Sequence, residues 1–183
     1  MTEQELIQGC KKQKQAYQKM LFDKYAGRMM ALCNRYCTDK QRAQDILQDG
    51  FIRVFQYIDQ FREEGSLEGW MRKIFVGVAL REISREKIKY RELDQGFESE
   101  KSVEPDAVSR LTESEIHALI RSMPTGYRTV FNLHVIEGYS HEEIAGLLGI
   151  EASTSRVQLM KAKKHLQALL VKKNRMIGHE QHI

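Results

Sequence analysis

Apolar residues recur at intervals of three and four along most of the chain, and no bounded run alternates as a half-buried strand would. The pattern therefore predicts an all-α protein. Residues 4–18 place Leu6, Ile7, Cys10 and Tyr17 on one side. Ala16–Tyr36 continues with Met20, Leu21, Tyr25, Met29, Leu32 and Cys33, as a pair of helices or one bent helix on a common core. Thr38 or Asp39 can cap the next helix, whose inward stripe is Ile46, Leu47, Gly50, Phe51, Val54, Phe55 and Ile58. Gly50 on that stripe is expected to let a second helix come close, at a propensity cost of about 1 kcal/mol. The other side shows Gln44, Asp45, Gln48, Asp49, Ile52 and Arg53, which is either ordinary solvent surface or a docking face for another protein. After a loop at Phe61–Glu68, a helix from Leu67 to about Arg85 carries Trp70 as an expected core anchor, with Ile74, Phe75, Val78 and Ile83. Arg72, Lys73, Arg81, Arg85, Lys87, Lys89 and Arg91 follow as a basic ridge ending near Tyr90. Cations beside an aromatic suit a phosphate or single-strand track, and equally a solvated helix tail.

A second unit is patterned differently, between about Met123 and Leu169. Pro124 fits a first helical turn, and Val130, Phe131, Val135 and Leu133 or His134 form an apolar stripe that Gly138 ends. Ser140 with Glu143 is a capping box for a helix through Ile144, Ala145 and Leu148, closed by Gly149. The last helix is expected to start near Ala152. Steps of about 100° per residue put Ser155, Leu159, Ala162, Leu166 and Leu169 inward. Ser153, Thr154, Val157, Met160, Lys161 and Lys164 then face out, flanked by Arg156, Gln158 and Lys163. Three helices with a tight turn before the last make the pattern of a helix-turn-helix DNA reader. Its outer face suits a major groove, since cations neutralise phosphates and a valine or threonine methyl can meet a thymine methyl.

Charge divides the chain. The formal net charge of the 183 residues is only +4, so distribution matters more than the total. From Glu92 to Glu115 eight acids face Lys101 and Arg110 alone, apolar residues thin out and Pro105 interrupts. These features predict two small helical domains, 1–93 and 113–172, joined by a flexible acidic linker at 94–112, with a frayed tail at 173–183. No apolar run approaches the length of a membrane span, so membrane insertion is not expected and a cytoplasmic location is. Three cysteines argue against a disulfide framework, and Cys33 and Cys37 lack companions for a metal site. No cofactor or metal is expected.

Residue detail narrows the reading. Ala43–Phe55, Phe61 and Trp70-Met71-Arg72-Lys73-Ile74 resemble region 2 of the extracytoplasmic-function (group 4) sigma factors of the sigma-70 family. Pro124, Tyr127-Arg128, the run Ile136–Ala145, Leu148-Gly149-Ile150, Lys161–Lys164 and Leu166 resemble their region 4. The wording of these motifs is similar to that of paralogues abundant in Bacteroidetes. The resemblance implies a dissociable specificity subunit whose partners are core RNA polymerase and promoter DNA, with an anti-sigma factor as a further candidate partner. It implies that Asp45, Gln48, Asp49, Phe51 and Ile52 dock on polymerase. It gives the −10 element and the melted strand to Arg72, Lys73, Gly77, Arg81, Arg85 and Lys87. The −35 element falls to Ser153, Thr154, Ser155, Arg156, Val157, Gln158, Lys161 and Lys164. Departures from the family pattern are Gly77 in place of asparagine, Glu151 in place of a serine cap and Val157 in place of serine. Glu151 still favours a positive helix end.

Two other classes compete. A stand-alone helix-turn-helix regulator predicts tight duplex binding without polymerase, typically as a dimer on a palindrome. An enzyme needs a convergent cluster of carboxylates, histidines or a nucleophile. The six histidines are scattered and Asp45 with Asp49 has no third ligand, so no catalysis is expected.

Overall fold

The structure, a computed structural model, describes residues 2–89 and 112–180, with the side chains of 86–89, 113 and 172–180 outside the description. All regular elements among these residues are helical. The expected linker at 94–112 lies almost wholly outside the described residues, as do Tyr90, Arg91 and the Lys87 side chain. The chain divides into two compact units, Met1–Glu92 and Leu93–Ile183.

In the first unit the N-terminal stretch resolves into two helices, α1 (Glu3–Lys11) and α2 (Gln15–Tyr36). Thr2 caps α1 reciprocally with Glu5, satisfying two backbone donors that the helix itself cannot. Tyr25 Oη donates to Glu3 Oε2 at 2.8 Å, tying α2 to the start of α1. Asp39, not Thr38, caps α3 (Lys40–Tyr57), accepting from the Arg42 amide at 2.8 Å. A 3₁₀ turn (Ile58–Gln60) and a loop lead to α4 (Leu67–Lys89), one turn longer than the expected Arg85 end. Leu21, Met29, Leu32, Ile46, Ile58, Leu67, Met71 and Phe75 form the sealed interior.

The α3–α4 contact depends on Gly50. A Cβ there would fall 2.3 Å from Phe75 Cε1, inside any tolerable contact, so only glycine admits the ring. Phe75 packs edge-on to Phe51 at 5.3 Å, and Phe51 in turn meets Phe22 at 4.7 Å. Two expectations need correcting. Met20 is 47% exposed, because the two-helix arrangement turns it away from the core. Trp70 is only half-buried: it rests on Phe61 at 5.5 Å and lids the loop, while Met71 and Phe75 fill the interior.

The second unit opens with α5 (Glu113–Ser122), capped by the Thr112–Glu115 box. Pro124 is the cap residue itself, with ψ 143°, and α6 runs from Thr125 to Phe131. The helix then widens into a π-helical segment at Asn132–Ile136, where the Glu137 amide reaches the Asn132 carbonyl at 2.9 Å. A wider turn changes which residues face inward. Asn132 and Leu133 are buried, whereas Val135, expected inside, is 49% exposed. Gly138 ends the segment at φ +80°.

The capping box of Ser140 and Glu143 starts α7 (His141–Leu148), and Gly149 stops it in the left-handed region at φ +64°. Only a residue without Cβ adopts that conformation cheaply. The α8 helix (Ala152–Glu180) follows at once and continues through the expected frayed tail as far as Glu180. No proline interrupts that stretch, and the isolated Gly178 does not stop the helix. Ile120, Met123 and Ala162 are buried together, with Tyr127, Phe131, Ile136 and Leu166 packed around them.

Candidate nucleic-acid and protein interfaces

On α3, Asp45, Gln48 and Asp49 are exposed and Ile52 is 46% exposed, so the acidic and amide face with one aliphatic residue exists as a surface. Phe51 does not belong to it. The ring is 3% exposed and locked in the Phe22–Phe51–Phe75 cluster, so it supports that face from below. Asp45 and Asp49 also line an open groove of about 230 Å³ with Arg53, Arg81, Glu82 and Arg85. The expected docking acids and two of the expected strand-binding cations thus share one cleft within this unit.

Along α4, Lys73, Gly77, Arg81 and Arg85 are four apart and form one row. Lys73, Arg81 and Arg85 are exposed. Arg85 meets Glu82 at 3.5 Å while remaining mostly solvated. Arg72 is half-buried and sits beside that row, about 100° round the helix from Lys73. A Cβ on Gly77 would meet nothing within 4 Å. Packing therefore does not require glycine there, in contrast to Gly50.

Two links hold α7 to α8, and a third ties α7 to the π-helical segment. His141 Nδ1 is hydrogen-bonded to Ser155 Oγ at 2.9 Å, with Ser155 fully buried. Glu142 accepts from Arg156 at 2.7 Å between two exposed side chains. His134 stacks on His141 with centroids 4.4 Å apart and donates through Nδ1–H to the Tyr139 carbonyl at 2.9 Å. Burial lowers the His141 pKa, and the neighbouring His134, Arg156 and Lys163 push the same way against Glu142. The neutral ring is the form that fits this seam.

Among the residues expected to meet duplex DNA, Ser153, Thr154, Arg156, Val157, Lys161 and Lys164 are exposed on α8. Ser155 is not, since its hydroxyl is spent inside the seam. Gln158 is half-buried, with its Oε1 3.5 Å from where a Gly126 Cβ would stand, so the amide turns toward α6. Lys161 Nζ lies 6.0 Å from the Tyr127 ring centroid. The sequence carried no local signal for the His134–His141–Ser155 seam or the Glu142–Arg156 pair, because each joins residues brought together only by the turn.

Comparison with known proteins identifies the family of the two units. Residues 21–88 match the family model for sigma-70 region 2, and residues 113–166 match that for sigma-70 region 4. The RNA polymerase sigma-H factor of Pseudomonas aeruginosa is 27% identical over 190 aligned positions, covering 93% of this chain and 98% of that protein. The ECF RNA polymerase sigma-E factor of Escherichia coli strain K12 is 23% identical, covering 90% of this chain and 92% of that protein. Among solved structures, the sigma factor RpoE of Bartonella quintana, in complex with the anti-sigma factor NepR, matches with a TM-score of 0.52 at 18% identity. That match covers 84% of this chain and 96% of the other, and is a likeness of fold.

Proposed function

The chain belongs to the sigma-70 family as an alternative sigma factor of the extracytoplasmic-function group, directing promoter-specific transcription, and from that premise we propose how its surfaces divide the work. Core RNA polymerase docks on the exposed α3 face of Asp45, Gln48, Asp49 and Ile52. The Lys73–Arg81–Arg85 row of α4, with Arg72 and Gly77 beside it, meets the −10 element and helps hold the melted non-template strand. The outer face of α8 lies in the −35 major groove. Strand opening needs no bond-making residue, because binding energy to the exposed strand drives it, so the role is one of binding and not of catalysis.

The observation that carries this reading is that the exposed acids and amides of α3 and the exposed cation rows of α4 and α8 lie on different helices, although Asp45 and Asp49 border the same groove as Arg81 and Arg85. A carboxylate- and amide-bearing α3 surface suits a protein, and cation-bearing surfaces on α4 and α8 suit phosphates. An anti-sigma protein is a further partner under this proposal, supported by the RpoE–NepR complex among its fold relatives. Action on polymerase places the chain in the cytoplasm, and no described helix is long and apolar enough to cross a membrane. We also place it in a Bacteroidetes-like subgroup, on the wording of its region 2 and region 4 motifs.

A pull-down with core RNA polymerase tests the docking face. The native chain is expected to retain core, and Asp45→Lys with Asp49→Lys to lose it while keeping its helical circular dichroism. Undiminished retention by the double variant would remove the α3 face from the account.

A further inference from the structure

The centre of the outward face of α8 is apolar. Val157 is 46% exposed and Met160 is 50% exposed, and nothing among the described residues of their unit covers them. They are three residues apart, so they lie within about 60° of each other on the helix and about 4.5 Å apart along its axis. That spacing is close to the roughly 3.4 Å between successive bases of one strand. The pair is thus positioned to address neighbouring base pairs.

Several polar side chains around them are engaged elsewhere, while Ser153 and Thr154 stay exposed one turn before Val157. Arg156 is held by Glu142 at 2.7 Å, the Gln158 amide turns toward Gly126, and the Ser155 hydroxyl is buried. Lys161 and Lys164 flank the pair as exposed cations. Protein interfaces are depleted of lysine relative to the rest of the surface, whereas lysines border this pair. Phosphates on either side of a groove match those lysines, and the one apolar group a major groove offers at its floor is the thymine 5-methyl.

We propose that Val157 and Met160 read thymine methyl groups on adjacent base pairs, so that the upstream element this chain selects carries thymine opposite the middle of α8. The proposal rests on α8 being the −35 reader and names what that reader prefers. Burying one methyl against an aliphatic side chain is expected to change affinity about three- to fivefold per contact.

The test uses holoenzyme formed from the full chain and core polymerase. It first selects from duplexes with a randomised window upstream of a fixed start region. Each thymine of the recovered upstream motif is then replaced by deoxyuridine, which removes the methyl alone. Replacement at one or two adjacent positions is expected to weaken the native holoenzyme about three- to fivefold. Val157→Ser and Met160→Gln, both at exposed positions, should each abolish the penalty at one of those positions. A motif without thymine, or uracil tolerated throughout, overturns the proposal. So does a pair of variants that select the native motif but lose a protein partner, which would assign the apolar pair to that partner. Selection of no upstream motif by the native holoenzyme would instead remove α8 as the −35 reader, and the proposal with it.

Discussion

Replacing Gly50 with alanine sets two opposed effects against each other at one methyl group. Alanine favours the helix over glycine by about 1 kcal/mol. Against that gain, the new Cβ would lie 2.3, 2.6 and 2.6 Å from three carbons of the Phe75 ring. That ring is fully buried and wedged against Phe51, so it has no flexible end to swing aside. Overpacking of a well-filled core costs about 1–3 kcal/mol, and three simultaneous clashes belong at the top of that range. The net expectation is a loss of about 2 kcal/mol, or roughly 8–16 °C in the Tm of a unit this size. Gly77→Ala on α4 is the internal control, since its Cβ meets nothing and only the helix gain of about 1 kcal/mol remains. The chain has a single tryptophan, and Trp70 sits on Phe61 in this unit, so its fluorescence in a urea titration reports this unit directly. Because Phe51 underlies the α3 face, G50A is also expected to weaken core polymerase binding at temperatures where it remains folded. If G50A is as stable as the native chain, or more so, the close approach of α3 and α4 through Gly50 is refuted.

Three further outcomes follow from the electrostatics and burial. The folded-state pKa of His141 lies below its ordinary value of 6.5, so the unfolded chain takes up more protons there. The stability of the second unit should therefore hold above about pH 6.5 and fall as pH drops from there through the folded-state pKa. His141→Asn should flatten that slope in urea midpoints measured between pH 7.5 and 5.5, and an unchanged slope would count against the seam. Burial pushes the Cys10 thiol up to about 11 and Cys33 up to about 12, and all three cysteines are buried. The native chain at pH 8 is expected to be silent to a disulfide reagent that titrates all three thiols in guanidinium, and rapid native labelling would refute the packing at α1 and α2. Glu142→Gln removes a carboxylate beside Arg156, so affinity for non-specific duplex should rise and the salt slope steepen by about one phosphate contact. Weaker binding of E142Q would show that Glu142 serves DNA contact rather than opposing it.

The features legible in the sequence were those with short-range causes. The Ser140–Glu143 box, the left-handed Gly149 and the stripe through Gly50 depend on neighbours within one helical turn, and the structure shows each in place. What was not legible depends on distant packing. The π-helical turn at Asn132–Ile136 differs from an α-helix by one residue of register, a choice made by what Leu133 and Asn132 pack against, and it put Val135 outside. Phe51 is inward by spacing and buried in the structure, and it is the resemblance, not the periodicity, that counts it among the docking residues. The start of α5 is obscured in the sequence because its Thr112–Glu115 capping box lies inside the acidic run that ends at Glu115. In the second unit, the spacing predicts the outward row of α8, but the inward commitments of Ser155 and Gln158 arise from residues 14 and 32 positions away, His141 and Gly126.

The central claim is that this chain confers promoter choice on a polymerase that lacks it. Run-off transcription on genomic fragments, with core polymerase alone and with core plus the chain, measures that claim most directly. The account predicts discrete transcripts only when both are present, lost with D45K/D49K through docking and with Arg81→Ala/Arg85→Ala through the −10 surface. Transcripts that do not depend on the chain, or tight sequence-specific duplex binding by the chain alone with no association to core, would contradict it.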